Sequence, residues 1–140
     1  MKATNLIFIF LILFISSANA EIPNQLQGKW VLQIMDLQHK VIATLSIRFT
    51  DKKAESCLGG NWLQVLVDDR KTSDENFFPI NDSLSYELNA NKLSIGRNEI
   101  CDAYLQLKGE LTNSNASGEF VSFGWGSEQI GFFTLSRGSK

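Results

Sequence analysis

Val41-Ile42-Ala43-Thr44-Leu45-Ser46-Ile47-Arg48-Phe49-Thr50 alternates apolar and polar residues almost without interruption. Val41, Ala43, Leu45, Ile47 and Phe49 fall on one face, and Thr44, Ser46, Arg48 and Thr50 on the other, with Ile42 alone out of step. Period two of this length is a strand with one side in a core and one in water. Working outward from it, the same pattern recurs in short runs separated by Gly, Asn, Asp and Ser. Lys29 to Met35 reads as the preceding strand, joined through Asp36-Leu37-Gln38-His39, and Asn61 to Val67 as the following one, after Gly59-Gly60. Leu84, Tyr86 and Leu88 pair through Asn89-Ala90-Asn91 with Leu93 and Ile95 as a hairpin. Ala103 to Leu111 is a further strand, Thr112 to Ser117 a turn-rich break, and Glu119 to Phe123 and Gln129 to Arg137 flank Gly124-Trp125-Gly126-Ser127. Helical periodicity is absent beyond residue 20, and no crossover helix has room. About eight or nine sequential antiparallel strands imply an all-β domain, and closing them into an up-and-down barrel removes the exposed edges.

The chain has 140 residues, 13 basic and 15 acidic side chains, one His and two Cys, enough for one domain. Leu6 to Ile15 is an unbroken apolar run behind Lys2, and Ala18 and Ala20 complete a small-residue cleavage pattern. Residues 1–20 therefore read as a secretory signal peptide, too short in its apolar part for a membrane anchor, and 21–140 as the mature domain, secreted or periplasmic. Removing that segment leaves a formal charge of about −3, which disfavours nucleic acid and anionic membranes as partners.

Export places Cys57 and Cys101 in an oxidising compartment, where two thiols of a small domain pair. The bridge would close about 44 residues and contribute roughly 3–4 kcal/mol. Asn81-Asp82-Ser83 and Asn115-Ala116-Ser117 are glycosylation sequons, used only if the source is eukaryotic. Asp68 to Asn76 is the most polar stretch and reads as a solvated loop. Its carboxylates lack the spacing of a calcium loop and are interleaved with Arg70 and Lys71, so no metal and no cofactor is expected. His39 stands alone in a turn without a nucleophile or metal motif beside it. Asp68 and Asp69 point apart in an extended chain, so the reading is non-catalytic.

Two residues at opposite ends of the domain carry a resemblance. Leu26-Gln27-Gly28-Lys29-Trp30 places G-x-W at the start of the first strand, and Arg137 ends the last one, Gly131 to Arg137. This resembles the calycins, the lipocalins and their relatives, whose G-x-W tryptophan packs across one end of the barrel under an arginine of the final strand. The resemblance implies that Trp30 and Arg137 close the barrel. A guanidinium over an indole face gains about 0.5–2 kcal/mol. The mature chain is shorter than typical lipocalins and lacks a T-D-Y element and a clear terminal helix, so a compact barrel is implied. Avidin relatives share the G-x-W start, but no biotin-clasping polar cluster occurs in Leu32 to Lys40. Small bacterial metalloprotease inhibitors are also similar, an eight-stranded barrel with one disulfide whose N-terminal tail enters the protease. Here that tail would be Glu21-Ile22-Pro23-Asn24-Gln25.

Such a barrel has room for side chains or for one small ligand. If it is a cup, Phe49, Tyr86, Leu88, Leu105 and Leu107 line it, and a small apolar molecule is the expected ligand, held by burial at about 25 cal/mol per Å². If it is filled, the expected function is that of a protein-binding module, an inhibitor or assembly partner using the N-terminal tail or the C-terminal hairpin. That hairpin concentrates Phe120, Phe123, Trp125, Phe132 and Phe133 within fourteen residues, apolar on both faces. Either something covers its outer face, or Phe123, Trp125 and Phe133 form a partner surface. Trp62, Tyr104 and Arg48 are expected outward or at the mouth.

Overall fold

The computed structural model describes residues 23–72, 83–96 and 104–138, with the side chain of Tyr104 excepted. The expected signal peptide, the Asn81 sequon and Cys101 lie outside them. A short 3-10 helix, Asn24–Leu26, precedes eight strands: β1 Lys29–Met35, β2 Val41–Lys53, β3 Leu63–Thr72, β4 Leu84–Asn89, β5 Lys92–Gly96, β6 Tyr104–Leu111, β7 Asn115–Phe123 and β8 Ser127–Arg137. Each pairs antiparallel with its neighbour in sequence, and β1 pairs with β8, so the sheet is a closed barrel. Closure leaves no free sheet edge along the paired length, which is how a small all-β chain avoids edge-to-edge association.

Period two does the sorting. Trp30, Leu32 and Ile34 of β1 face Ile47, Leu45 and Ala43 of β2, and all six are buried. The same core holds Leu84, Tyr86, Leu93, Ile95, Leu107, Phe120, Phe133 and Leu135. A register shift between Ile34 and Met35 sets Val41 opposite Met35 at the rim. Val41, expected in the inward row, is consequently 42% exposed, since no layer lies above it.

Where β6 and β7 cross, Gly109 faces Gly118, and Gly118 faces Phe133. A Cβ on Gly118 would lie 2.1 Å from the Lys108 carbonyl oxygen, and one on Gly109 would lie 2.9 Å from the Phe133 ring. The missing side chains thus let the backbones approach, and the phenyl ring fills the space beside them.

Two boundaries differ from the sequence reading. The polar run after Val67 continues as strand to Thr72, because backbone pairing with Ala43 to Ser46 does not need apolar side chains. Asp68 to Lys71 stay in water, with Asp68 bound to Arg48 at 2.6 Å. That contact holds the Asp68 carboxyl below, and the Arg48 guanidinium above, the usual value, in each case first through the hydrogen bond between them. β7 also begins earlier than expected, at Asn115, after a turn in which the Thr112 hydroxyl donates to the Asn115 carbonyl at 2.8 Å.

Trp62, expected outward, is buried at 5% exposure. It precedes β3 and belongs to the β2–β3 connection, where its indole N–H donates to the Gly59 carbonyl at 3.1 Å. Glu87 of β4 pins the same connection by accepting from the Asn61 amide at 2.9 Å. Arg48 is exposed as expected.

Candidate functional site

The strand directions give the barrel two unlike ends. At the first, the chain enters through the 3-10 helix and leaves from β8. Gly28 takes φ +93°, a conformation that favours glycine, and turns the helix into β1. Trp30 stands directly opposite Arg137 in the β1–β8 ladder, with the guanidinium 4.4 Å from the centre of its ring system. The guanidinium also donates to the carbonyls of Gln27 and of Gln25, the latter at 2.8 Å. The Trp30 indole N–H donates to the Leu26 carbonyl at 3.0 Å, and Leu26 is fully buried. The helix is therefore a lid held by three carbonyl contacts and one apolar side chain. The pairing of Trp30 with Arg137 was expected; Leu26 and the glutamine carbonyls were not. Pro23-Asn24 before the G-x-W start was the available signal, a turn-forming pair.

Above Trp30, Phe49 packs edge-on at 6.2 Å, and Tyr86 packs edge-on to Phe49 at 4.8 Å. The Tyr86 hydroxyl donates to the Thr50 carbonyl at 2.9 Å. Burial, with the Asp51 charge a lesser cause, pushes the Tyr86 hydroxyl up to about 12. Of the residues expected to line a cup, Phe49, Tyr86 and Leu107 are buried in the core, while Leu88 and Leu105 are half-buried against it. A space able to admit a ligand would leave its walls accessible to a water-sized sphere. Twelve large side chains, Trp30, Tyr86, Phe120, Phe133 and Leu107 among them, expose less than 2%. At these positions the interior is a packed core.

Two hollows lie elsewhere among the described residues. One of about 280 Å³ sits at the rim between Val41–Thr44 and Lys71–Thr72. The other, of about 490 Å³, lies in the β2–β3 connection between Lys53 and Gly60.

The second end carries the β1–β2 and β7–β8 turns. In the first, one Asp36 carboxylate oxygen accepts from the Gln38 and Lys40 amides, each at 2.9 Å. His39, at φ +60°, stacks its ring on Phe132 at 4.3 Å. Leu37 of this turn is 52% exposed. In the second, the Gly124 amide donates to the Gly126 carbonyl at 2.9 Å, and Trp125 between them is completely exposed.

The expected partner surface of Phe123, Trp125 and Phe133 is corrected accordingly. Phe133 is interior, at 1% exposure, and Phe123 is half-buried with the Lys108 ammonium 5.0 Å above its ring. Phe120 also points into the core, Phe132 lies under His39, and Val121 is buried on the outer face. The doubled apolar parity of β7 and β8 is thus mostly internal cover, and Trp125 alone stands bare.

Among the described residues no group of three His, Cys, Asp or Glu side chains could hold a metal ion. Cys57 is not a free thiol, while its expected partner Cys101 lies outside those residues. The geometry defines an eight-stranded, antiparallel, up-and-down barrel plugged at one end. No protein family, curated protein or solved structure matches the chain.

Proposed function

We propose that this is an exported, non-catalytic binding protein of lipocalin-like type, stapled by a Cys57–Cys101 disulfide, and that it engages a protein partner through the rim opposite the plug. One observation carries the reading: twelve large side chains expose less than 2%, whereas Trp125 on the far rim is wholly bare. A tryptophan left in water between two glycines contributes nothing to the core, and tryptophan is prominent among residues that anchor interfaces. The N-terminal tail is the weaker candidate for the same role, because Arg137 and Trp30 already hold Gln25, Leu26 and Gln27 against the barrel.

A small apolar ligand is the second reading. It is favoured by the apolar core cluster to which Phe49, Tyr86 and Leu107 belong and by Leu105, half-buried against it. It requires the packed interior to part. Native mass spectrometry of the protein taken from its natural source separates the two. A bound polypeptide, whether another protein or a second copy, supports the first reading, and a retained small molecule on a lone chain supports the second. A bare chain overturns both.

A further inference from the structure

The β2–β3 connection, residues 54–62, is closed at its base. The Ala54 amide donates to the Trp62 carbonyl at 2.9 Å, drawing the two ends together, and the buried Trp62 indole lies against Gly59 and Gly60. Compact loops closed in this way and packed by their own side chains frequently carry function. The larger of the two hollows lies in this loop, and its volume of about 490 Å³ is in the range of small-molecule sites. Its lining among the described residues is Lys53, Ala54, Glu55, Ser56, Leu58 and Gly60. The Lys53 ammonium and the Glu55 carboxylate have no hydrogen-bond or ion-pair partner among the described residues, each other included. The Ser56 hydroxyl accepts from the Leu58 amide at 3.0 Å, which leaves its own proton to donate. Ala54, 7% exposed, and the half-buried Leu58 supply apolar surface.

We infer that this hollow binds a free α-amino acid with an apolar side chain. The ligand carboxylate meets Lys53 and the Ser56 hydroxyl, its ammonium meets Glu55, and its side chain lies on Leu58. Charge selects the class. A ligand of one sign would meet a like charge in the same hollow, whereas a zwitterion answers both. No internal ion pair has to break to admit it. The wall is also fixed beforehand. Gly60 takes φ +125°, a Cβ there would lie 3.0 Å from both the Trp62 indole nitrogen and a Glu87 carboxylate oxygen, and Glu87 holds the neighbouring Asn61 amide. Little ordering is therefore required on binding. Both charged side chains are exposed, so water and salt screen each contact and keep the affinity low. The site lies at the plug end and is independent of the rim that carries Trp125.

An NMR titration of residues 21–140 with L-leucine tests this, followed at the Gly59 and Gly60 amides. The expected result is a set of saturable shifts at millimolar leucine, confined to the β2–β3 connection and its neighbours. Isopentylamine and isocaproate, which each lack one of the two charges of leucine, should bind at least about tenfold more weakly. Lys53→Met and Glu55→Gln should each weaken leucine binding by about tenfold. Both side chains are exposed and unpartnered among the described residues, so circular dichroism should not change. Trp125→Ser, at the opposite end, should leave leucine binding as it was. The absence of saturable shifts, an equal response to all three probes, or indifference to both charge substitutions overturns the inference.

Discussion

Trp30 and Arg137 are direct ladder partners across the β1–β8 seam, and the guanidinium lies 4.4 Å over the indole while its N–H groups reach back to the entering chain. One side chain therefore fastens three things at once: the first strand, the last strand and the helix that caps them. Replacing Arg137 by Met keeps the stem and removes the fork. It should cost about 1–3 kcal/mol in urea unfolding, from the lost cation–π contact and the two lost carbonyl contacts. Lys at the same position should recover only part of this, since an ammonium cannot present a planar pair of donors.

Gly118 is expected to be among the least tolerant positions of the sheet. Gly118→Ala would force a Cβ to within 2.1 Å of the Lys108 carbonyl oxygen, and the strands would have to separate. A loss of about 3 kcal/mol is expected by thermal or urea denaturation. Gly124→Ala meets nothing within 4 Å and should stay within about 0.5 kcal/mol of the parent.

Tyr86 gives the fold an alkaline limit. Its hydroxyl is raised in the folded chain to about 12, above the ordinary tyrosine value near 10. A raised folded value means that the contribution is fully present below about pH 10 and is lost as pH climbs from there through about 12. Absorbance at about 295 nm should show one of the two tyrosines ionising late, and stability should fall over the same interval. Tyr86→Phe should abolish that late ionisation and cost about 1–2 kcal/mol at neutral pH, because the Thr50 carbonyl loses its donor.

Among the described residues the β3–β4 seam is the shortest in the barrel, with Leu63, Gln64 and Val65 in register with Tyr86, Ser85 and Leu84. Cys57 lies in the connection before β3, and Cys101 in the one after β5, so the proposed disulfide would tie together the chain segments on either side of this seam. Replacing both cysteines by Ser should lower stability by roughly 3–4 kcal/mol. Hydrogen exchange should quicken first at Leu63 to Val65. Unchanged exchange and an unchanged melting temperature would show that no bridge spans it.

The barrel was legible because its strands obey period two where they face the core. Ala43, Leu45, Ile47 and Phe49 went inside as their spacing requires, and the G-x-W start and Arg137 met as the resemblance implies. The sequence misled where burial does not follow parity. Val41 has the right parity but lies above the last core layer, and Trp62 has the wrong one but belongs to a folded-back connection. Asp68 to Thr72 looks like loop because its side chains are polar, although its backbone pairs. The site was harder to read. Phe133 and Trp125 look alike in composition, but Phe133 shares the inward face of Leu135 opposite buried Ile34, with the glycine pair beside its ring, whereas Trp125 sits in the turn.

The Gly138 amide donates to the Lys29 carbonyl at 2.9 Å, and Arg137 reaches Gln25, so the two ends of the domain lie side by side. Start and finish could therefore be spliced by a few flexible residues and the chain cut afresh at the Gly124-Trp125-Gly126 turn, yielding a circular permutant with the same eight ladders. In such a rearranged gene product the plug would become an ordinary internal hairpin, and the rim would become the place where synthesis begins and ends.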